Sequence, residues 1–208
     1  MRQFTKRQLE IIRASVLLIA QGGIQKLTIK NIASQLSISE PALYRHFSCK
    51  LDILSAILDF FADNARSHLS SIASQKLTPI QKITEVITSH CDNFSTNPAM
   101  VVVIFSEEIF RQNDSLSVRV ASIMGSHQKM VEECIKQGQA IGMIRDDVPN
   151  EHLCLFVLGS LRLLITQWRL ANFGFDLVDR GQKLVASLKS VLQGENKANI
   201  SGKATKVS

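Results

Sequence analysis

Two short helix signals stand three residues apart near the start of this chain, and they constrain its fold more than any other feature. Thr28 can cap a helix that carries Ile29, Ile32, Ala33 and Leu36 on one side. Ser39 can cap a second, with Pro41 tolerated in its first turn and Leu43 and Phe47 spaced four apart to face inward. Ser37-Ile38-Ser39 reverses the chain between them, with Ile38 pointing back to the core. Helices this short hold only when crossed over a shared apolar core with a neighbour. The spacing predicts a helix-turn-helix over about 28–47, and that geometry names double-stranded DNA as the partner.

Charge points the same way. The formal charge is +6, from 24 Lys+Arg and 18 Asp+Glu. Arg2, Lys6, Arg7, Arg13, Lys26, Lys30, Arg45 and Lys50 face only Glu10 and Glu40 in the first fifty residues, and beyond them acids and bases balance. A localised basic excess is the footprint of a polyanion binder. Alone, it fits a solvated basic surface or a lipid-binding arm equally well.

The rest of the chain reads as helical. Hydrophobic content of 45% supports a buried core. No segment alternates with β-branched enrichment, so no sheet is expected. A first helix is predicted over 6–21, stopped by Gly22-Gly23, and the fourth over 50–72. Further helices follow at about 78–95, 98–111, 114–138, 150–172 and 176–193. The fold class is therefore all-α: a three-helix head and a helical body, about nine helices in total. The expected division is 1–50 for the head, 51–194 for the body and 195–208 for a flexible polar tail. No apolar run reaches the ~18–20 residues of a membrane span, and Glu10 and Arg13 interrupt any signal-peptide core. These features imply a cytoplasmic protein with no membrane partner. Cys49, Cys91, Cys134 and Cys154 are widely spaced, which suggests reduced thiols rather than a zinc site or disulfide scaffold.

Ile32-Ala33, Ile38-Ser39, Leu43-Tyr44-Arg45-His46-Phe47 and Lys50-Leu51 resemble the DNA-binding head of the TetR family of bacterial transcriptional regulators. The resemblance covers about residues 5–60. It departs at Ser37, where the family usually carries Gly. By this resemblance Tyr44 and His46 hold phosphate oxygens, although either can also serve packing. The chemistry of the other residues is consistent with such a reader. Ser39, Glu40, Pro41 and Ala42 would face base edges, where Glu40 can accept from a cytosine amine and Pro41 and Ala42 can touch a thymine methyl. Thr28 and Lys50, each at a helix start, suit phosphates. Lys30 and Arg45 suit either backbone or base.

A single head reads few base pairs, so a homodimer on a palindromic operator is expected. The 150–172 helix offers Leu153, Phe156, Val157, Leu161 and Leu164. The last helix offers Leu177, Leu184, Val185, Leu188, Val191 and Leu192. These residues predict a four-helix interface between copies, against the alternative of an intrachain core. The family resemblance also implies a small-molecule effector held in the body, its binding coupled to DNA release. Candidate lining residues are Phe94, Met100, Phe105, Phe110, Phe156 and Trp168, with His90, Arg162 and Gln167 as polar contacts, which suits an apolar or amphipathic ligand. No catalytic or metal-ligand spacing stands out, so neither enzymatic activity nor a cofactor is expected. The leading function is a ligand-released repressor. The alternative is a DNA-bound protein that acts through another protein without an inducer.

Overall fold

The computed structural model describes residues 3–105 and 113–194, and its regular elements are all helical. Among the described residues the order is α1 (Lys6–Gly22), a 3-10 turn (Ile24–Lys26), α2 (Ile29–Gln35), α3 (Glu40–Tyr44), α4 (Lys50–Ser74), α5 (Pro79–Thr96), α6 (Pro98–Ile104), α7 (Asp114–Ala140), α8 (Asn150–Leu170) and α9 (Leu177–Gln193). Thr28 and Ser39 cap as expected: the Thr28 hydroxyl accepts from the Asn31 N–H at 3.1 Å, and the Ser39 hydroxyl accepts from that of Ala42 at 3.3 Å.

The turn between α2 and α3 is a Schellman closure. The Ile38 N–H donates to the Ala33 carbonyl at 3.0 Å and the Ser37 N–H to that of Ser34 at 3.1 Å. This bonding requires the left-handed region at Ser37, whose φ is +53°. Glycine reaches that region without a Cβ clash, whereas serine incurs one. Ile38 then turns inward onto the head core. α3 is shorter than expected and ends at Tyr44. The His46 N–H reaches only three residues back, to the Leu43 carbonyl at 2.9 Å, and this tightens the last turn. The Phe47 N–H still bonds the same carbonyl at 3.2 Å, which keeps Phe47 in the core.

Ile11, Ile12 and Ile19 of α1 pack with Ile32, Leu43, Phe47 and the first half of α4, including Ile53 and Ile57. This cluster does not stop at the head. Val103 of α6 and Leu116 of α7 are buried in it. A second cluster fills the body, with Ile72 of α4, Ile83 and Ile87 of α5, Val131 and Ile135 of α7, and the inward faces of α8 and α9. α4 runs through both clusters.

Helix α8 corrects two expectations. By length and a mean hydropathy of 1.4 it is apolar enough to cross a membrane, and 33% of that window is buried. Arg162 and Arg169 lie within it, and Leu153, Val157, Leu161, Ile165 and Trp168 pack in the body core. The second correction concerns the interface between copies. Leu153, Val157, Leu161, Leu177, Val185, Leu188 and Leu192 lie inside the protomer, and Leu164 and Leu184 are half-buried against the same core. Of the expected interface residues, Phe156 and Val191 remain exposed, joined on the outer surface by Leu155 (66% exposed), Leu163 (59%) and Leu170 (72%). An α8 apolar nearly all round has one stripe for its own core and another left outside. Phe110 and the tail from 195 onward lie outside the described residues.

Candidate nucleic-acid interface

The head places its polar residues on one surface around α3. Ser39, Glu40, Pro41, Tyr44 and Arg45 are exposed, with Tyr44 at 50%, while Ala42 and His46 are half-buried. Leu43 and Phe47 anchor the helix from below. Thr28 and Lys30 are exposed at the start of α2. Each capping hydroxyl accepts one backbone N–H, and its own hydrogen can still donate to a phosphate oxygen. Lys50 is half-buried, and its Nζ donates to the Ile24 carbonyl at 3.3 Å. A lysine ammonium carries three donors, so the 3-10 turn positions this charge without exhausting it.

Two residues that sequence reasoning missed hold this surface in place. The Gln8 side chain donates to the His46 carbonyl at 3.4 Å and ties α1 to the end of α3. Asp52 accepts from the Ser48 N–H at 3.1 Å and closes the entry to α4. Cys49, the residue before that helix, makes no side-chain cap. An acid two positions after Lys50 is the visible signal, because carboxylates favour the first turn of a helix.

In the body, His90 and Phe94 lie together on α5, their rings edge-on with centroids 5.8 Å apart. Phe94 meets Phe105 in the same way at 6.3 Å. Met100 is half-buried against this core. The Arg162 guanidinium sits 4.9 Å from the Phe105 ring centre, and Arg169 donates to the Phe105 carbonyl at 3.2 Å. α8 therefore holds the end of α6 by its cations. Trp168 is buried, donates from its indole to the Phe175 carbonyl and packs edge-on to Phe173 at 4.7 Å. Phe156 and Gln167 are exposed on the outer side of α8, so they do not join the expected chamber.

One feature of the body core was not foreseen. His127 of α7 lies against His90, ring centroids 4.8 Å apart. Burial and the neighbouring His127 push His90 down to about 4, with the Val86 carbonyl opposing. Burial also lowers His127, opposed by the Ile123 carbonyl, with His68 of α4 adding to the decrease. Both rings are neutral at pH 7.

A crossed pair of short helices over a three-helix core, a polar surface around the second, and a separate helical body define a regulator that reads DNA. The chain belongs to the TetR family: residues 11–57 match the model for bacterial regulatory proteins of the tetR family, and 58–190 match the YsiA-like protein C-terminal region. It is a DNA-binding transcriptional regulator of that family. It is 21% identical over 190 residues to the fatty acid metabolism regulator protein of Bacillus subtilis strain 168, covering 91% of this chain and 97% of the relative. It is also 21% identical over 131 residues to the nucleoid occlusion factor SlmA of a Marinomonas species, covering 63% of this chain and 66% of that protein. The crystal structure of Bacillus subtilis FadR in complex with stearoyl-CoA shares the fold with a TM-score of 0.76 at 20% identity, over 88% of this chain and 98% of that one.

Proposed function

We propose that this protein is a cytoplasmic homodimeric repressor that holds a palindromic operator and releases it when an apolar or amphipathic ligand enters the body. Residues 1–50 serve as the reader and 51–194 as the sensing and dimerising unit. Tyr44, His46, Thr28 and Lys50 grip phosphates, and Lys30 and Arg45 reach backbone or base. Ser39, Glu40, Pro41 and Ala42 read bases. The observation that carries this reading is the shared core at the joint. Val103 of α6 and Leu116 of α7 are buried among head residues, while Arg162 and Arg169 of α8 hold the end of α6. A ligand that displaces α6 from α8 also displaces the head, and so biases two arrangements of one packed unit.

The relative crystallised with stearoyl-CoA supports a chain-like apolar ligand. The test is fluorescence anisotropy of full-length protein on its selected operator, titrated with stearoyl-CoA and with simpler long-chain lipids. Release by at least one supports the repressor reading. Retention with all of them favours the second reading, a DNA-bound protein acting through another protein, which the similarity to a nucleoid occlusion factor motivates.

A further inference from the structure

His90 of α5 and His127 of α7 lie ring to ring in the body, and His68 of α4 is near enough to act on both electrostatically. All three residues are half-buried. The tautomers of two are fixed by their partners. His90 Nδ1 meets the Val86 carbonyl at 2.6 Å, and His127 Nδ1 meets the Ile123 carbonyl at 2.9 Å. A carbonyl only accepts, so each Nδ1 carries the hydrogen and each Nε2 is left as a bare lone pair in the neutral ring. Two bare lone pairs cannot satisfy one another. His68 adds a buried Nε2 with no hydrogen-bond partner among the described residues. Buried polar atoms without partners are uncommon in folded proteins and call for a partner from outside the chain. Beside them, Phe94 and then Phe105 extend an aromatic wall, with Met100 nearby.

We propose that His68, His90 and His127 form the polar end of an effector site whose ligand is neutral, with an apolar body and a hydroxyl or similar hydrogen-bond donor at its head. The inference rests on the reading of the body as a sensing unit and names the ligand class. An acceptor-only head such as a carboxylate meets lone pairs of its own kind. It could bind only by protonating an imidazole, which burial and the adjacent imidazoles oppose. A hydroxyl instead donates to one Nε2. A metal ion is the other occupant that lone pairs attract, but among the described residues no three His, Cys, Asp or Glu groups are placed to hold one.

The test uses the full-length protein with 1-decanol, decanoate and zinc chloride as separate probes at neutral pH. Binding is followed by Trp168 fluorescence and by 15N resonances of the histidine rings. The expected result is that decanol moves the Nε2 resonances of His90 and His127 and binds about tenfold more tightly than decanoate, the scale of one net hydrogen bond. His90→Phe and His127→Phe keep an aromatic ring but remove the acceptor, and each is expected to weaken decanol by up to about tenfold while leaving decanoate unchanged. Ring resonances unmoved by decanol, equal or tighter binding of decanoate, or a response to zinc alone each overturn the proposal. The unmodified protein gives these readouts even if a variant fails to fold. If decanol moves the ring nitrogens but leaves operator binding intact, the site stands and the repressor reading falls.

Discussion

Lys50 Nζ donates to the main-chain carbonyl of Ile24 across 3.3 Å, joining the start of α4 to the turn that precedes α2. A cation is thereby held at the start of α4. Lys50→Ala is expected to weaken binding to all DNA sequences alike and to reduce the salt slope by about 0.9, the value for one lost phosphate contact. Tyr44→Ala is expected to weaken binding similarly across sequences with little change of slope, because a phenol carries no charge. Filter binding or anisotropy over a salt series checks both, and unchanged affinities would remove the phosphate role from these side chains.

Ser37 occupies a backbone region that costs a non-glycine residue about 1–2 kcal/mol. Ser37→Gly is expected to stabilise the folded head by up to about 1 kcal/mol after the added freedom of the unfolded glycine is discounted. Urea unfolding reads the change as a higher midpoint with an unaltered slope. A lower midpoint would mean that the serine side chain contributes more than its backbone costs.

The outer stripe of α8 carries Leu155, Leu163 and Leu170, all exposed among the described residues. Leu163→Asp is expected to convert a dimer to a monomer at micromolar concentration, as read by size-exclusion with light scattering, because a buried unpaired carboxylate opposes association by several kcal/mol. A variant that stays dimeric would move the interface elsewhere.

His90 is lowered from the ordinary histidine value of 6.5 to about 4, chiefly by burial. Between those values the unfolded chain binds more protons than the folded one, so stability rises with pH and is lost as pH falls from about 6.5 toward 4. The loss attributable to this residue is up to about 3 kcal/mol by order of magnitude. Unfolding midpoints measured over that window are expected to flatten in His90→Gln relative to the parent protein.

The head was legible in the sequence because its signals are local. Thr28 and Ser39 cap the helices they precede, and Leu43 and Phe47 face inward at the spacing of one turn. The body was legible only in outline. α8 is apolar nearly all round, so periodicity could not separate the stripe through Leu153, Val157 and Leu161, which the protomer buries, from that through Leu155 and Leu163, which it leaves outside. The end of α3 was overrun because Arg45-His46 carry no helix-breaking residue, and the stop comes from a tightened turn. His90 and His127 are far apart in sequence, and only the packing of α5 and α7 brings their rings together.

The most direct test of the reader is selection of bound duplexes from a random pool by the full-length protein, with Glu40→Ala run in parallel. An inverted repeat is expected, its half-sites about one helical turn apart, and loss of the acceptor at residue 40 is expected to relax preference at one base pair in each half-site. Enrichment of no inverted repeat, or the same motif at every position for parent and variant, would contradict a dimeric reader whose specificity lies at the start of α3.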